Sequence, residues 1–531
     1  MHNRSLSREL SLLSLGLIKD KGDSKLNKFQ IEEIFESALD SLIGHCRDEL
    51  NDCEADLEKV SQNLLDSELI EGTKFSFTNV RDELKKAFCK IESVMNSLSV
   101  TLDFPKLLVS SNQNDIREDV KDRISIMINN LQTIDSGIDA WVQFEESVIL
   151  KDIDEGINQK GSLAGVPLAV KDVFNTKDYM TQMGSDIWKG FTPGNNARVI
   201  DHILWEGAFI SGKTVTAEFA VHHPGKTKNP VNADYIVGTS SSGSAAVVSS
   251  GMSPIALGTQ TAGSTIRPSS YTGIFGFKPT FGLIPRTGIL KTLDTLDHVC
   301  LMAKTARDIE TCLQAARVRG TNHPFVNETL DKDIKENKSI RIAFLKTSTW
   351  KHTEVYTKDA LQSFISELSK YQEITIQELE LGEELDLIHE NHNLIYEKAL
   401  SYYFKQEIEN HPDQISEIFK EMTDRGQEIS TNTYHEGLRK QVNDIKIFDN
   451  MMLDYDFIIT NSTSGIAPVV GDQQEPPDPC LIWTYLHAPS INIPLFNGPN
   501  EMPFGLQLVG SRYSDLQLIR MAEYIEERFI R

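Results

Sequence analysis

"GSLAGVPLAVKDVFN", residues 161–175, sets the reading of the whole chain. Its centre, "VPLAV", is a short apolar run with Gly165 before it and Lys171 after it. Such a run, bounded by a turn residue, reads as a strand buried on both faces, the kind found in sheets covered by helices. The lysine that closes it is the anomaly. An ammonium held against an apolar interior is costly, so its pKa falls and the amine can act as a base. The plainer reading of that residue alone is a strand-end lysine that snorkels to water.

Working outward, "VIDHILWEGAFISGKT" (199–214) reads as a helix, a turn at Gly207 and a second buried strand, "AFISG". "IRIAFLK" (340–346) and "DFIITN" (456–461) are two further buried strands, separated by a mostly helical stretch over 356–450. A helical lead-in, "DVKDRISIMINNLQTIDSGIDAWVQF", covers 119–144. Strands alternating with helices predict an α/β domain with a largely covered sheet over residues 111–531. Residues 1–110 have a different texture. Ile31, Ile34, Phe35, Leu39 and Leu42 fall on one helical stripe, and Val80, Leu84, Phe88, Ile91 and Met95 on another. They predict an added N-terminal helical domain, a candidate surface for a homodimer or a partner protein.

With 531 residues and 40% hydrophobic content, the chain can bury a large core. A formal charge of −24 argues against nucleic-acid binding, which needs a concentrated basic surface. The six cysteines (Cys46, Cys53, Cys89, Cys300, Cys312 and Cys480) are too sparse for a disulfide scaffold and include no C-x-x-C pair. Free thiols in a reducing cytoplasm are expected. No run approaches the roughly 18 apolar residues that span a bilayer, so no membrane association is expected. The stretch "ELSLLSLGLIKDKGD" (9–23) lacks a small-residue cleavage site and reads as a helix.

Two glycine- and serine-rich loops follow the first strands: "GTSSSGSAAVVSSG" (238–251) and "GTQTAGSTIRP" (258–268). A serine nucleophile needs a proton acceptor and backbone N–H groups aimed at a developing oxyanion. Small residues at Ala262 and Gly263 let the backbone approach a substrate carbonyl, and the amides of Thr261, Ala262, Gly263 and Ser264 are candidates for that oxyanion hole. Phosphate binding is the rival use, but neither loop carries a Walker pattern, and no G-x-G-x-x-G follows a strand. "STWK" (348–351) lacks the S-D-N and K-T-G companions of penicillin-binding proteins. His222 and His223 lack a third metal-ligand spacing, and no G-x-S-x-G elbow is present.

Together "GVPLAVKD", "GTSSSGSAA", "ALGTQTAGSTIRP" and "GIFGFKPTFGLIPRTG" resemble the amidase signature family of serine hydrolases, in the branch that includes the amidotransferase A subunits. The likeness continues in "DYDFIITN" and "PSINIPLFNGPNEMPFGLQLVG" and runs from about residue 112 to the last residue. The resemblance implies an α/β/α sandwich around a mixed sheet and a Ser–cis-Ser–Lys triad. Its lysine falls on Lys171, its bridging serine, after a cis peptide, on Ser240, and its nucleophile on Ser264. It implies a seryl acyl-enzyme formed from a small carboxamide, without cofactor or metal. By analogy "EFAVHH" and "IWTYLH" wall the acyl pocket, which makes Val221, His222, Trp483 and Tyr485 candidate substrate contacts.

The chain departs from the family pattern at Gln260, where an acid is common, and at Ile266, where the family's arginine stands one position before Arg267. Ser242 replaces a favoured glycine. Loss of the acid–arginine support, or its replacement by a neutral hydrogen bond from Gln260, is expected. A glutaminase subunit of an amidotransferase, and a biosynthetic amide-processing enzyme docking a partner through residues 1–110, are the alternative functions. If residues 1–110 stand outside the chemistry, a soluble truncation lacking them is expected to keep measurable turnover of a small amide. A folded truncation inactive by ammonia release would contradict that division.

Overall fold

The computed structural model describes Ile128 and residues 134–530, apart from 156–159, 224, 320–338, 381, 383, 384, 386 and 472–475. The N-terminal domain read at 1–110 lies outside the described residues. The strands are β1 (Trp141–Gln143), β2 (Pro167–Lys171), β3 (Phe209–Thr214), β4 (Ile255–Gln260), β5 (Phe275–Lys278), β6 (His298–Ala303), β7 (Ile340–Lys346), β8 (Ile374–Glu380), β9 (Phe457–Asn461), β10 (Ser490–Asn497) and β11 (Pro503–Gly510). They form one 11-stranded sheet in the order β1-β3-β2-β4-β6-β5-β10-β11-β9-β7-β8. β2 runs parallel to β3 and β4, and β7 parallel to β8 and β9, while β4, β6, β5, β10, β11 and β9 join antiparallel. The sheet is mixed, as the fold class requires.

Residue alternation sorts side chains between the layers. Leu168 and Val170 of β2 face a core built on the helices Arg198–Trp205, Ala306–Ala316 and Asp515–Phe529. Ala169 between them faces the helix Ser242–Ser249 on the other side. Lys171 has the parity of Ala169, so it ends β2 on the side of the serine-rich helix. Further along the sheet, Ala343 and Leu345 of β7 and Ile458 of β9 pack against a second helical layer. That layer comprises Ile388–Tyr403, Glu417–Glu428, Thr431–Met451 and the short helix Leu481–Tyr485.

Local sequence explains the helix ends. Thr305 starts Ala306–Ala316 by accepting the Asp308 amide at 3.1 Å, and Ala306, Ile309, Cys312, Leu313 and Ala316 form its buried stripe. Gly273, at φ 70°, takes the left-handed position that stops the helix Ile266–Thr272. Two stretches differ from the sequence reading. "WVQ", expected as the end of a helix, is the edge strand β1, because Asp139 turns the chain at φ 58° and Asp135 accepts the Ala140 amide at 2.6 Å. β8 interrupts the stretch read as helical over 356–450, and it lies at the edge of the sheet with only Ile374 buried.

At the start of Ser242–Ser249, the glycine after three serines has a steric cause. A Cβ on Gly243 would lie 2.3 Å from the Val215 amide nitrogen and 2.5 Å from the Ala140 oxygen. Gly243 donates to the Val215 carbonyl at 3.0 Å, which seats the helix on the end of β3. Gly243→Ala is therefore expected to cost about 1–3 kcal/mol, the usual range for overpacking. A urea-denaturation midpoint equal to wild type would contradict this close approach.

Candidate active site

β2 carries Lys171 into the interior, where it is fully buried. Its Nζ lies 2.8 Å from Ser240 Oγ, 3.0 Å from Ser241 Oγ and 2.7 Å from Thr259 Oγ1. Burial pulls the amine down from its ordinary value to about 7, against a smaller upward pull from Cys300 and Asp297. Gly258 makes room for this cluster, since a Cβ there would lie 3.1 Å from both Ser241 Oγ and Thr265 Oγ1. The Thr239–Ser240 peptide is cis. The Ser241 amide donates to the Ser264 carbonyl at 3.3 Å, which joins the two serine loops. Ser240 is fully buried, and Ser264 keeps 7% exposure.

The loop after β4 is tethered through its carbonyls. His392 meets the Thr261 carbonyl at 2.8 Å, Thr484 Oγ1 donates to the Ala262 carbonyl at 2.6 Å, and the Arg267 amide donates to the Gly263 carbonyl at 3.0 Å. In a trans peptide the N–H points opposite to the C=O. The amides of Ala262, Gly263 and Ser264 therefore point away from these three tethers. Among the described residues they donate to no protein acceptor. Thr261 is held as well, its Oγ1 donating to Asp297 at 2.8 Å.

Gln260 does supply a neutral hydrogen bond in place of an acid. Its Oε1 accepts the amides of Thr265 and Ile266, each at 2.9 Å, and so caps the helix Ile266–Thr272. Arg267 points elsewhere. Its Nη1 pairs with Asp478 at 3.0 Å, and its Nη2 donates at 2.9 Å to the Thr239 carbonyl, the C=O of the cis peptide itself. The Asp478 carboxylate also explains Gly263, where a Cβ would lie 1.8 Å from Asp478 Oδ2.

The sequence model of the Amidase family matches residues 122–519. The chain belongs to the amidase family. The A subunit of a glutamyl-tRNA(Gln) amidotransferase from Alkaliphilus metalliredigens is 26% identical over 458 residues, covering 77% of this chain and 93% of that protein. A solved chain from a vestigial complex tied to the origins of an s-triazine catabolic enzyme has a TM-score of 0.70 at 20% identity, covering 81% of this chain and 98% of its own. The native peptide amidase of Stenotrophomonas maltophilia has a TM-score of 0.64 at 21% identity, covering 76% and 93%. These two structures share the fold, an α/β/α arrangement around the mixed sheet. Family membership makes the chain an amide hydrolase of the amidase signature type.

The remaining predicted site residues fall in different surroundings. Val221 is buried, and His222 is exposed with Arg267, Asp478 and His392 as its charged or ionisable neighbours. Trp483 and Tyr485 are fully buried in the second helical layer, where Tyr485 Oη donates to Asp444 at 2.9 Å. Among the described residues, no group of three His, Cys, Asp or Glu is placed to hold a metal ion, and no helix is long and apolar enough to cross a membrane. Sequence reasoning missed His392, Asp478 and Thr484. Thr484 lies inside the stretch "IWTYLH" but was passed over for its aromatic neighbours, and no local pattern marks His392 or Asp478, because each of the three meets the serine loops from more than a hundred residues away.

Arg267→Met would leave the Asp478 carboxylate, itself nearly buried, without its cation. A loss of about 3–5 kcal/mol is expected by urea denaturation, with Arg267→Met/Asp478→Asn recovering most of it because no unpaired charge remains. Equal stability of the single and double variants would contradict this account.

Proposed function

We propose that this amidase hydrolyses a small carboxamide through an acyl-enzyme on Ser264, with Lys171 as the base and Ser240 as the relay. The observation that carries the reading is the hydrogen-bonding ring around the Lys171 amine. A neutral amine has two N–H donors and one lone pair. Ser241 Oγ–H donates to the Thr259 carbonyl at 3.2 Å, so Ser241 Oγ receives from Lys171, and Thr259 Oγ1 takes the second N–H. With those two hydrogens so placed, the lone pair is free to face Ser240 Oγ at 2.8 Å. A pKa near 7 keeps a substantial neutral fraction at neutral pH.

In the forward half-reaction Lys171 takes the Ser240 proton while Ser240 takes that of Ser264, whose Oγ attacks the amide carbon. The oxygen that becomes negative is received by the loop amides over Thr261–Ser264, whose carbonyls are tied back. The proton returns through Ser240 to the leaving amine, and water releases the acyl group by the same relay in reverse.

A second reading has its own support. The curated relatives over about three-quarters of the chain carry the name of an amidotransferase A subunit, which favours a glutaminase component working with partner proteins. Turnover of glutamine by the purified chain, set beside a panel of primary, peptide and aryl amides, separates the two. Glutamine hydrolysis that needs an added partner would favour the glutaminase component.

A fluorophosphonate is expected to label Ser264. Ser264→Ala should abolish labelling and turnover, Lys171→Ala should lower turnover by about 10²–10⁴-fold, and Ser240→Ala should be the mildest of the three. The pH dependence has a definite sign. Protonation removes the Lys171 lone pair, so activity falls as pH drops through about 7, and this acid limb should be absent in Lys171→Ala. Wild-type turnover in Lys171→Ala with the acid limb intact would end the proposal.

A further inference from the structure

We propose that Gln260 and Thr484 are positioning residues that aim the oxyanion amides, a role that rests on the acyl-enzyme reading above. Each hydrogen in the chain they form has one direction open to it. A backbone N–H only donates, so the end of Gln260 that meets the amides of Thr265 and Ile266 is the oxygen. The Nε2 end is thereby turned to Thr484, whose Oγ1 accepts at 3.0 Å. The single hydroxyl hydrogen of Thr484 is left for the Ala262 carbonyl at 2.6 Å. Gln260 and Thr484 are both fully buried, so water does not compete for these bonds.

The consequence reaches the next residue. Drawing the Ala262 carbonyl to Thr484 turns the Gly263 N–H the opposite way, beside Ser264. His392 acts alike on the preceding peptide. Its Nε2 must carry the hydrogen it gives to the Thr261 carbonyl, and the Ala262 N–H points away from it.

Glutamine at position 260 is what fixes the sense of the chain. An ionised acid there accepts only, so it would draw the Thr484 hydrogen to itself and release the Ala262 carbonyl. Gln260 caps the helix with its oxygen and directs Thr484 with its nitrogen, and no carboxylate does both.

The test uses the full-length enzyme, with a fluorophosphonate as the probe of Ser264 and a primary amide found by ammonia release as the substrate. Thr484→Val keeps the shape and loses the hydroxyl, Thr484→Ser keeps the hydroxyl, and Gln260→Glu keeps the two cap bonds and loses the donor. Thr484→Val and Gln260→Glu are expected to lower both the labelling rate and kcat by about 10- to 100-fold, less than the roughly 10²–10³ lost when an oxyanion donor is removed. KM should stay close to wild type, and Thr484→Ser should restore both rates. A threonine that only filled space would lower thermal stability and leave kcat per folded enzyme unchanged. Wild-type rates in both Thr484→Val and Gln260→Glu, or a Thr484→Ser as slow as Thr484→Val, would overturn the proposal. Ser264→Ala runs alongside, because labelling that persists in it overturns the acyl-enzyme reading itself. Labelling lost there but unchanged in Thr484→Val and Gln260→Glu overturns the positioning role alone.

Discussion

An amine buried among hydroxyls is the constraint on which the rest of this structure depends. Among the described residues three lysines of the sheet are fully buried, and their company differs. Lys213, on the neighbouring strand, lies 3.1 Å from the Asp172 carboxylate and donates to the Phe174 and Met180 carbonyls. Lys278 donates to the Pro279 and Ala488 carbonyls. Both are structural pins, because fixed acceptors surround a charged head. Lys171 meets Ser240, Ser241 and Thr259 instead, groups that give a proton as readily as they take one. Lys213 also donates to the Thr176 and Thr181 hydroxyls, and burial lowers all three amines, but of the three only Lys171 has hydroxyls alone as hydrogen-bond partners.

That constraint accounts for the sheet order around the site. β2 must lie between β3 and β4, since β3 ends in the Lys213 anchor and β4 delivers Thr259 and the loop beyond it. The parallel register aligns Val170 with Lys213 and with Leu257, so three adjacent strand ends face one space. Brief apolar strands with polar tips suffice for this, because helices cover both faces and only the strand ends meet polar chemistry.

How much of this was legible in the sequence depended on range. "PLAVK" as a strand, Lys171 at its end and the paired serine loops were readable, because apolar runs and small residues act locally. Family resemblance carried the assignment of Ser240 and Ser264 beyond what spacing alone allowed. β1 and β8 were hidden, since a three-residue strand and an exposed edge strand have little apolar signal against the helices beside them. The departure at Gln260 was visible, but its partner was not. Thr484 lies 224 residues away, and a hydrogen bond across that distance leaves no periodic trace. Trp483 and Tyr485 were candidates for a pocket wall by analogy with the family. Tyr485 bonds to Asp444 and Asn391, which locks the short helix into the layer behind the loop.

The tethering of the serine loop by two late helices has an evolutionary side. Lys171, Ser240 and Ser264 come from one contiguous third of the described chain, whereas His392 and Thr484 belong to the helical layer that follows. A lineage that remodelled this layer to admit a new substrate would also disturb the carbonyl anchors of the loop. Under the proposed mechanism, recognition and rate are therefore not separately inherited in this protein. Substitutions that reshape the helical layer must preserve a donor opposite Thr261 and another opposite Ala262, which narrows the routes open to divergence.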